Sequence, residues 1–172
     1  MTTPIQHPRG SHFADRDAAQ RAVAMALPMI EAAMQDPEVC GSGFLYIVVM
    51  DPGLQPGEAD FADAVLLEHA IGDRTRWDAD YAGFARGKAR LSWLTGMGSH
   101  EVQTARTHAL RRGDSVLWGS ASLDGIVVGV SGAHPWFDEA FATAIAANLR
   151  AIAKQHHARA LADGHWVAGG PS

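Results

Sequence analysis

Nine histidines, one lysine set in an apolar stripe, and a serine at a strand end are the residues of this chain with chemistry to offer. No two histidines stand at a recognised ligand spacing. His134 has the best placing for a ligand. It lies in a loop after an apolar run and beside a helix N-terminus, where backbone donors can hold an anion. The competing reading is a solvent-facing cap position. His100 and His108 share the segment between Gly96 and Gly113, and His69 follows Glu68 in an apolar run. His156 and His157 diverge by about 100° on a helix, so they make a poor two-ligand pair. Lys88 comes four residues after Phe84 and three before Leu91, on the face those residues share. A lysine there is costly unless it is paired or snorkels, and snorkelling is the plainer reading. Arg86 and Arg90 flank it. Ser131 sits in Gly129-Val130-Ser131-Gly132, which lacks the spacing of a nucleophile elbow. Such a serine more often bonds backbone or caps the next helix. There is no G-x-G-x-x-G, P-loop, H-E-x-x-H or C-x-x-C.

The elements that must position these residues centre on 124–150. Asp124-Gly125 between two β-rich runs is a hairpin signal. Ile126 to Val130, with three valines, reads as a strand covered on both faces. Pro135 suits the first turn of a helix, and Asp138 and Glu139 suit its positive end. Phe137, Phe141, Ile145, Leu149 and Ile152 give that helix one packing face. Ala140, Ala144, Ala147 and Ala151 form a thin neighbouring strip.

Upstream, Asp15 can cap a helix with Val23, Leu27, Ile30 and Met34 on one stripe, kinked or split by Pro28. Phe44 to Met50 is a central strand and Ala64 to Ile71 a second, antiparallel to it. The prolines and glycines of 51–60 make a loop. Thr75 with Asp78 predicts a capping box for a helix with Trp77, Tyr81, Phe84 and Leu91 on one face. Trp93 lies off that stripe, and Gly96-Met97-Gly98 ends the helix. Ser99 can cap a short helix, and Ser115 to Ser120 reads as the strand that pairs across Asp124-Gly125.

At 172 residues the chain is expected to be one domain, with a loose arm over 1–14, the domain over 15–163 and a tail over 164–172. A hydrophobic fraction of 47% and a charged fraction of 19% make it globular. A net charge of −5 with scattered arginines argues against nucleic acid, and no apolar run reaches membrane-spanning length. The first residues, MTTPIQHPRGSHF, lack the apolar core of a secretory signal, and Cys40 stands alone. Together these give the expectation of a cytoplasmic protein.

The run GIVVGVSGAHPWFDEAFATAIAANL resembles the haem-degrading/GlcG-like family, which includes HbpS-like haem-binding proteins. The likeness rests on a strand ending Gly129-Val130-Ser131-Gly132, the downstream Asp138, the Ala-rich helix from Ala140, and an upstream Lys88-Ala89 pair. It spans roughly Asp15 to Gln155; the stretch from Gly96 to Gly113 is longer than in short members. The resemblance implies a three-layer α/β/α fold around an antiparallel sheet, profilin-like, with a long C-terminal helix. It implies assembly into homodimers or larger closed rings, and binding of haem or a related tetrapyrrole, with oxidative degradation or iron handling in some members.

Haem asks for an apolar slot, an axial ligand and cations for its propionates. His100 or His134 would serve the metal, Lys88 or Arg90 the propionates, and Ser131 lines the same loop. Two alternatives stay open: a cofactor-free oligomeric module for regulation or scaffolding, and a protein acting on a small carboxylate through Lys88 and 131–134. Catalysis is not decided by these residues.

Overall fold

The computed structural model describes residues 9–170. Asp15 caps α1 (Arg16–Ala33), its carboxylate accepting from the Ala18 amide at 2.9 Å. Pro28 lies inside α1, yet the helix is continuous. The carbonyl that a proline leaves unbonded four residues back belongs to Ala24, which is exposed to water. Residues 9–14 of the expected arm are tied down: the Ser11 amide donates to Asp51 at 2.9 Å, and Phe13 packs edge-on against His157. Residues 1–8 lie outside the described residues.

Four strands form one antiparallel sheet: β1 (Leu45–Met50), β2 (Val65–Ile71), β3 (Ser120–Leu123) and β4 (Ile126–Ser131), in the order β2-β1-β4-β3. The single turn α2 (Phe61–Ala64) leads into β2. Asp124-Gly125 closes the β3–β4 hairpin with both residues at positive φ, as the Asp-Gly pair predicts. β3 starts at Ser120, five residues later than expected, and the β-prone run 115–119 is loop. The paired run extends from Leu123–Ile126 to Ser120–Gly129, with one last bond from the Val130 amide to the Gly119 carbonyl at 2.8 Å, and there the Gly119 and Ser120 amides are taken by Ser99 Oγ.

Side chains alternate along β1. Leu45, Ile47 and Val49 face α1 and α5 (Pro135–Ala162), while Tyr46, Val48 and Met50 face α3 (Tyr81–Thr95). The result is the expected three-layer α/β/α arrangement, with Ile30, Val128, Val130, Phe141, Ile145 and Leu149 filling the α1/α5 side.

Two expectations for α3 fail. Thr75 cannot cap, because Asp73 takes both its amide and its hydroxyl, at 2.9 and 2.7 Å. Asp80 caps instead, accepting from Gly83, so α3 starts at Tyr81. Tyr81, Lys88 and Leu91 of the expected stripe are buried, but Phe84 is 42% exposed, and Ala82, Ala85, Ala89 and Ser92 fill the buried face beside them. The cause is close approach: a Cβ at Gly129 of β4 would meet the Ala85 carbonyl at 2.5 Å and the Ala89 Cβ at 2.8 Å. A phenylalanine has no room on that face. Trp93 is buried against Phe61 and donates to the Leu54 carbonyl at 2.8 Å, so it is core.

Candidate functional site

The α3–β4 contact that demands alanines also carries Lys88 inward. Its side chain is 3% exposed, and its Nζ donates to the Val130 carbonyl (2.9 Å), Ser131 Oγ (3.2 Å) and Asp138 Oδ2 (2.8 Å). An ammonium has three hydrogens, so these acceptors use all of them. The snorkelling reading is corrected: the charge is buried and paired, because Asp138 on the first turn of α5 reaches it. Burial pushes the Asp138 carboxyl up to about 6 against the opposing pull of Lys88. Burial likewise pushes the Lys88 ammonium down, with Asp138 opposing.

The other Asp138 oxygen accepts from the Ala133 amide at 2.9 Å, strapping the loop after β4 to α5. Gly119 completes the packing. A Cβ there would meet Asp138 Cβ at 2.6 Å and Lys88 Nζ at 2.8 Å. Serines knit the surroundings. Ser99 Oγ, in α4 (Ser99–Ala105), accepts from the Gly119 and Ser120 amides, both at 3.1 Å. Ser120 Oγ in turn donates to the Lys88 carbonyl at 2.9 Å. Ser99 therefore holds a strand rather than capping its helix, where Gly98 takes the cap position.

Along the surface beside this network runs a row of four rings. His100 of α4 stacks on Trp118, centroids 4.1 Å apart and planes 8° from parallel. Trp118 meets Trp136 edge-on at 6.4 Å. His134 stacks on Trp136 at 5.2 Å and 9°. Trp136 is 54% exposed. His134 is the N-cap of α5, with no side-chain cap bond, and its carbonyl accepts from the Phe137 and Asp138 amides. His100 Nδ1 lies 3.6 Å from Glu139 Oε2.

Of the residues singled out from sequence, Lys88 and Ser131 are in contact, and His100 and His134 stand at the two ends of one aromatic row. Arg90 is paired with Asp114 at 3.4 Å. Trp118 and Trp136 escaped the sequence reading, since one stands in the loop before β3 and the other on α5, and periodicity within one element cannot relate residues on two. The Asp138 partner of Lys88, 50 residues away, escaped it for the same reason. Among the described residues no group of three or more His, Cys, Asp and Glu is placed to hold a metal by itself. The face is therefore a platform with two imidazoles. The backbone donor at Ala133 and the Lys88 ammonium are already engaged by Asp138, which leaves little there for a free carboxylate. No helix among the described residues is long and apolar enough to cross a membrane.

No family model matches the chain, and no curated protein matches it. Solved structures do. Klebsiella pneumoniae protein ORFY, of the DUF336 family, superposes with TM-score 0.55 at 16% identity, over 88% of this chain and 98% of that one. A double mutant of Streptomyces reticuli HbpS gives TM-score 0.54 at 20% identity, over 86% and 93%. A structure described as a PduOC:heme complex gives TM-score 0.48 at 15% identity, over 82% and 95%. The fold of this chain is that of the HbpS- and GlcG-like proteins, as its Gly129-Val130-Ser131-Gly132 strand leads one to expect.

Proposed function

We propose that the protein binds haem or a related tetrapyrrole on the His100–Trp118–Trp136–His134 face. One observation carries this reading: two histidines, each stacked flat on a tryptophan, share a single partly exposed row. A planar metal macrocycle needs flat apolar surface and an imidazole for the metal, and this donor set has both. Either His100 or His134 is the axial ligand. Lys88 and Ser131 act from below, holding the loop that presents His134, and do not reach the ligand. Bound haem would supply redox-capable iron, the chemistry that degradation or iron handling requires.

The row covers only one side of a flat ligand. Self-association, as a homodimer or a larger ring, is part of the proposal because a second copy would cover the other side. Ala140, Ala144, Ala147 and Ala151 of α5 are exposed or half-buried in the single chain and leave room for close helix approach.

A cofactor-free oligomeric module is the second reading. It is favoured by the apolar strip of Val116 (71% exposed) and Leu117 (42% exposed) next to Trp118, which suits protein contact.

The test is a haemin titration of the purified protein followed in the Soret region, with His100→Ala and His134→Ala beside wild type. The expected result is a saturable shift, weakened about tenfold or more in at least one variant, as loss of an axial ligand demands. A saturable shift that neither variant alters would move haem off this face. With no saturable shift and oligomers intact, the module reading takes over.

A further inference from the structure

A cavity of about 700 Å³ opens at the other edge of the sheet, along β2. That volume falls within the roughly 300–1,000 Å³ of small-molecule sites. None of Lys88, Arg90, His100, Ser131 or His134 lines it. Its lining includes Arg16, Tyr46, Phe61, Val65, Glu68 and Arg86, drawn from α1, β1, α2, β2 and α3.

The strand is irregular there. Val49 pairs with Leu67 and Met50 with Val65, so Leu66 has no partner on β1. Such a bulge, at a sheet edge, re-aims the groups around it and is common beside binding sites. The Leu66 carbonyl accepts from Arg16 Nη1 at 3.0 Å, which holds that guanidinium at the cavity wall.

The charges at the wall do not balance. Glu68 is taken by Arg86 through two bonds, 2.6 and 2.9 Å. Arg16 has no carboxylate within ion-pair distance among the described residues. The lining therefore keeps one guanidinium charge in a chain whose net charge is −5. Tyr46, on the face of β1 toward α3, has its phenol pushed up, first by burial and then by Glu68, and that carboxylate engages its hydroxyl. Phe61, Ala62 and Val65 supply an apolar wall.

We infer that this cavity binds a small organic monocarboxylate, its carboxylate on Arg16 and its apolar body against Phe61 and Val65. One charge and one apolar wall select a single anionic end on an apolar group. A dianion would lack a second free cation, because Arg86 is committed to Glu68. The site is separate from the His100–His134 row, so haem binding and this binding succeed or fail independently.

Benzoate is the probe, titrated into the full chain and followed by the NMR shifts of amides 65–68 and of Arg16 Nε. Saturable shifts at these positions are expected. Arg16→Ala should weaken binding about tenfold, the scale of a lost hydrogen bond to a charged group. His134→Ala should leave it unchanged. Arg16→Gln, which keeps a donor for the Leu66 carbonyl, replaces Arg16→Ala if that variant unfolds. Absence of saturable shifts at 65–68, or undiminished binding in the Arg16 variants, would overturn the inference. Inorganic phosphate bound as tightly as benzoate would overturn the apolar body and hence the ligand class.

Discussion

Two ion pairs leave the same helix two residues apart and behave in opposite ways. Arg86 reaches Glu68 through a bidentate contact at the surface, with side chains 44% and 28% exposed. Lys88 reaches Asp138 in the interior, with side chains 3% and 2% exposed. At the surface, hydrogen bonding from Arg86 is the largest influence and holds the Glu68 carboxyl below its ordinary value. In the interior, loss of water is the largest influence and raises Asp138 despite its partner. Solvent access, not the pairing itself, sets the sign. The surface pair trims a cavity wall, whereas the interior pair fastens β4, the loop after it and α5 to α3.

Removing one member of the interior pair should have the largest effect. Lys88→Met leaves Asp138 buried and Asp138→Leu leaves Lys88 buried, and each should cost about 3–5 kcal/mol in urea unfolding. The double variant should recover much of that loss, since no orphaned charge remains. Single variants that lose under about 1 kcal/mol would place this pair with ordinary surface pairs.

The two pairs should also titrate with opposite signs. Asp138 has a folded value raised from 3.8 to about 6, so its contribution to stability is full below 3.8 and is lost as pH rises to about 6. Glu68 has a folded value lowered from 4.5, so its contribution is full above 4.5 and is lost as pH falls through the folded value. Unfolding midpoints measured across this range should show it. The wild-type advantage over Asp138→Asn should shrink with rising pH, by up to about 1.4 kcal/mol per pH unit. The advantage over Glu68→Gln should grow with rising pH. Parallel slopes would erase the contrast.

Arg86→Ala gives the smallest effect, at most about 1 kcal/mol and less at high salt, because the pair is exposed and screened. A loss as large as that of Lys88→Met would mean that Glu68 needs Arg86 far more than its exposure implies.

The contrast also explains what could be read without coordinates. Asp15, Asp124-Gly125 and Pro135 act through neighbours in the chain, so their cap, turn and helix start were legible. The run from Ile126 was legible as a strand because burial on both faces needs only apolar residues in a row. The exposure of Phe84, on a stripe whose Tyr81, Lys88 and Leu91 are buried, had no such local cause. It depends on how near α3 lies to Gly129, and hydrophobic spacing does not encode that distance.

The sequence alone thus determined the order of elements, the sheet's buried strands and a lysine that had to be paired or led to water. Those outcomes follow from local hydrogen bonding, backbone limits and the cost of burying charge. The tertiary structure alone decided that Lys88 is paired and with whom, that His100 and His134 end one row of rings, and that Arg16 borders a cavity beside a bulge. Each of these joins segments far apart in the chain, and only the packing of helices on a twisted sheet fixes which of them meet.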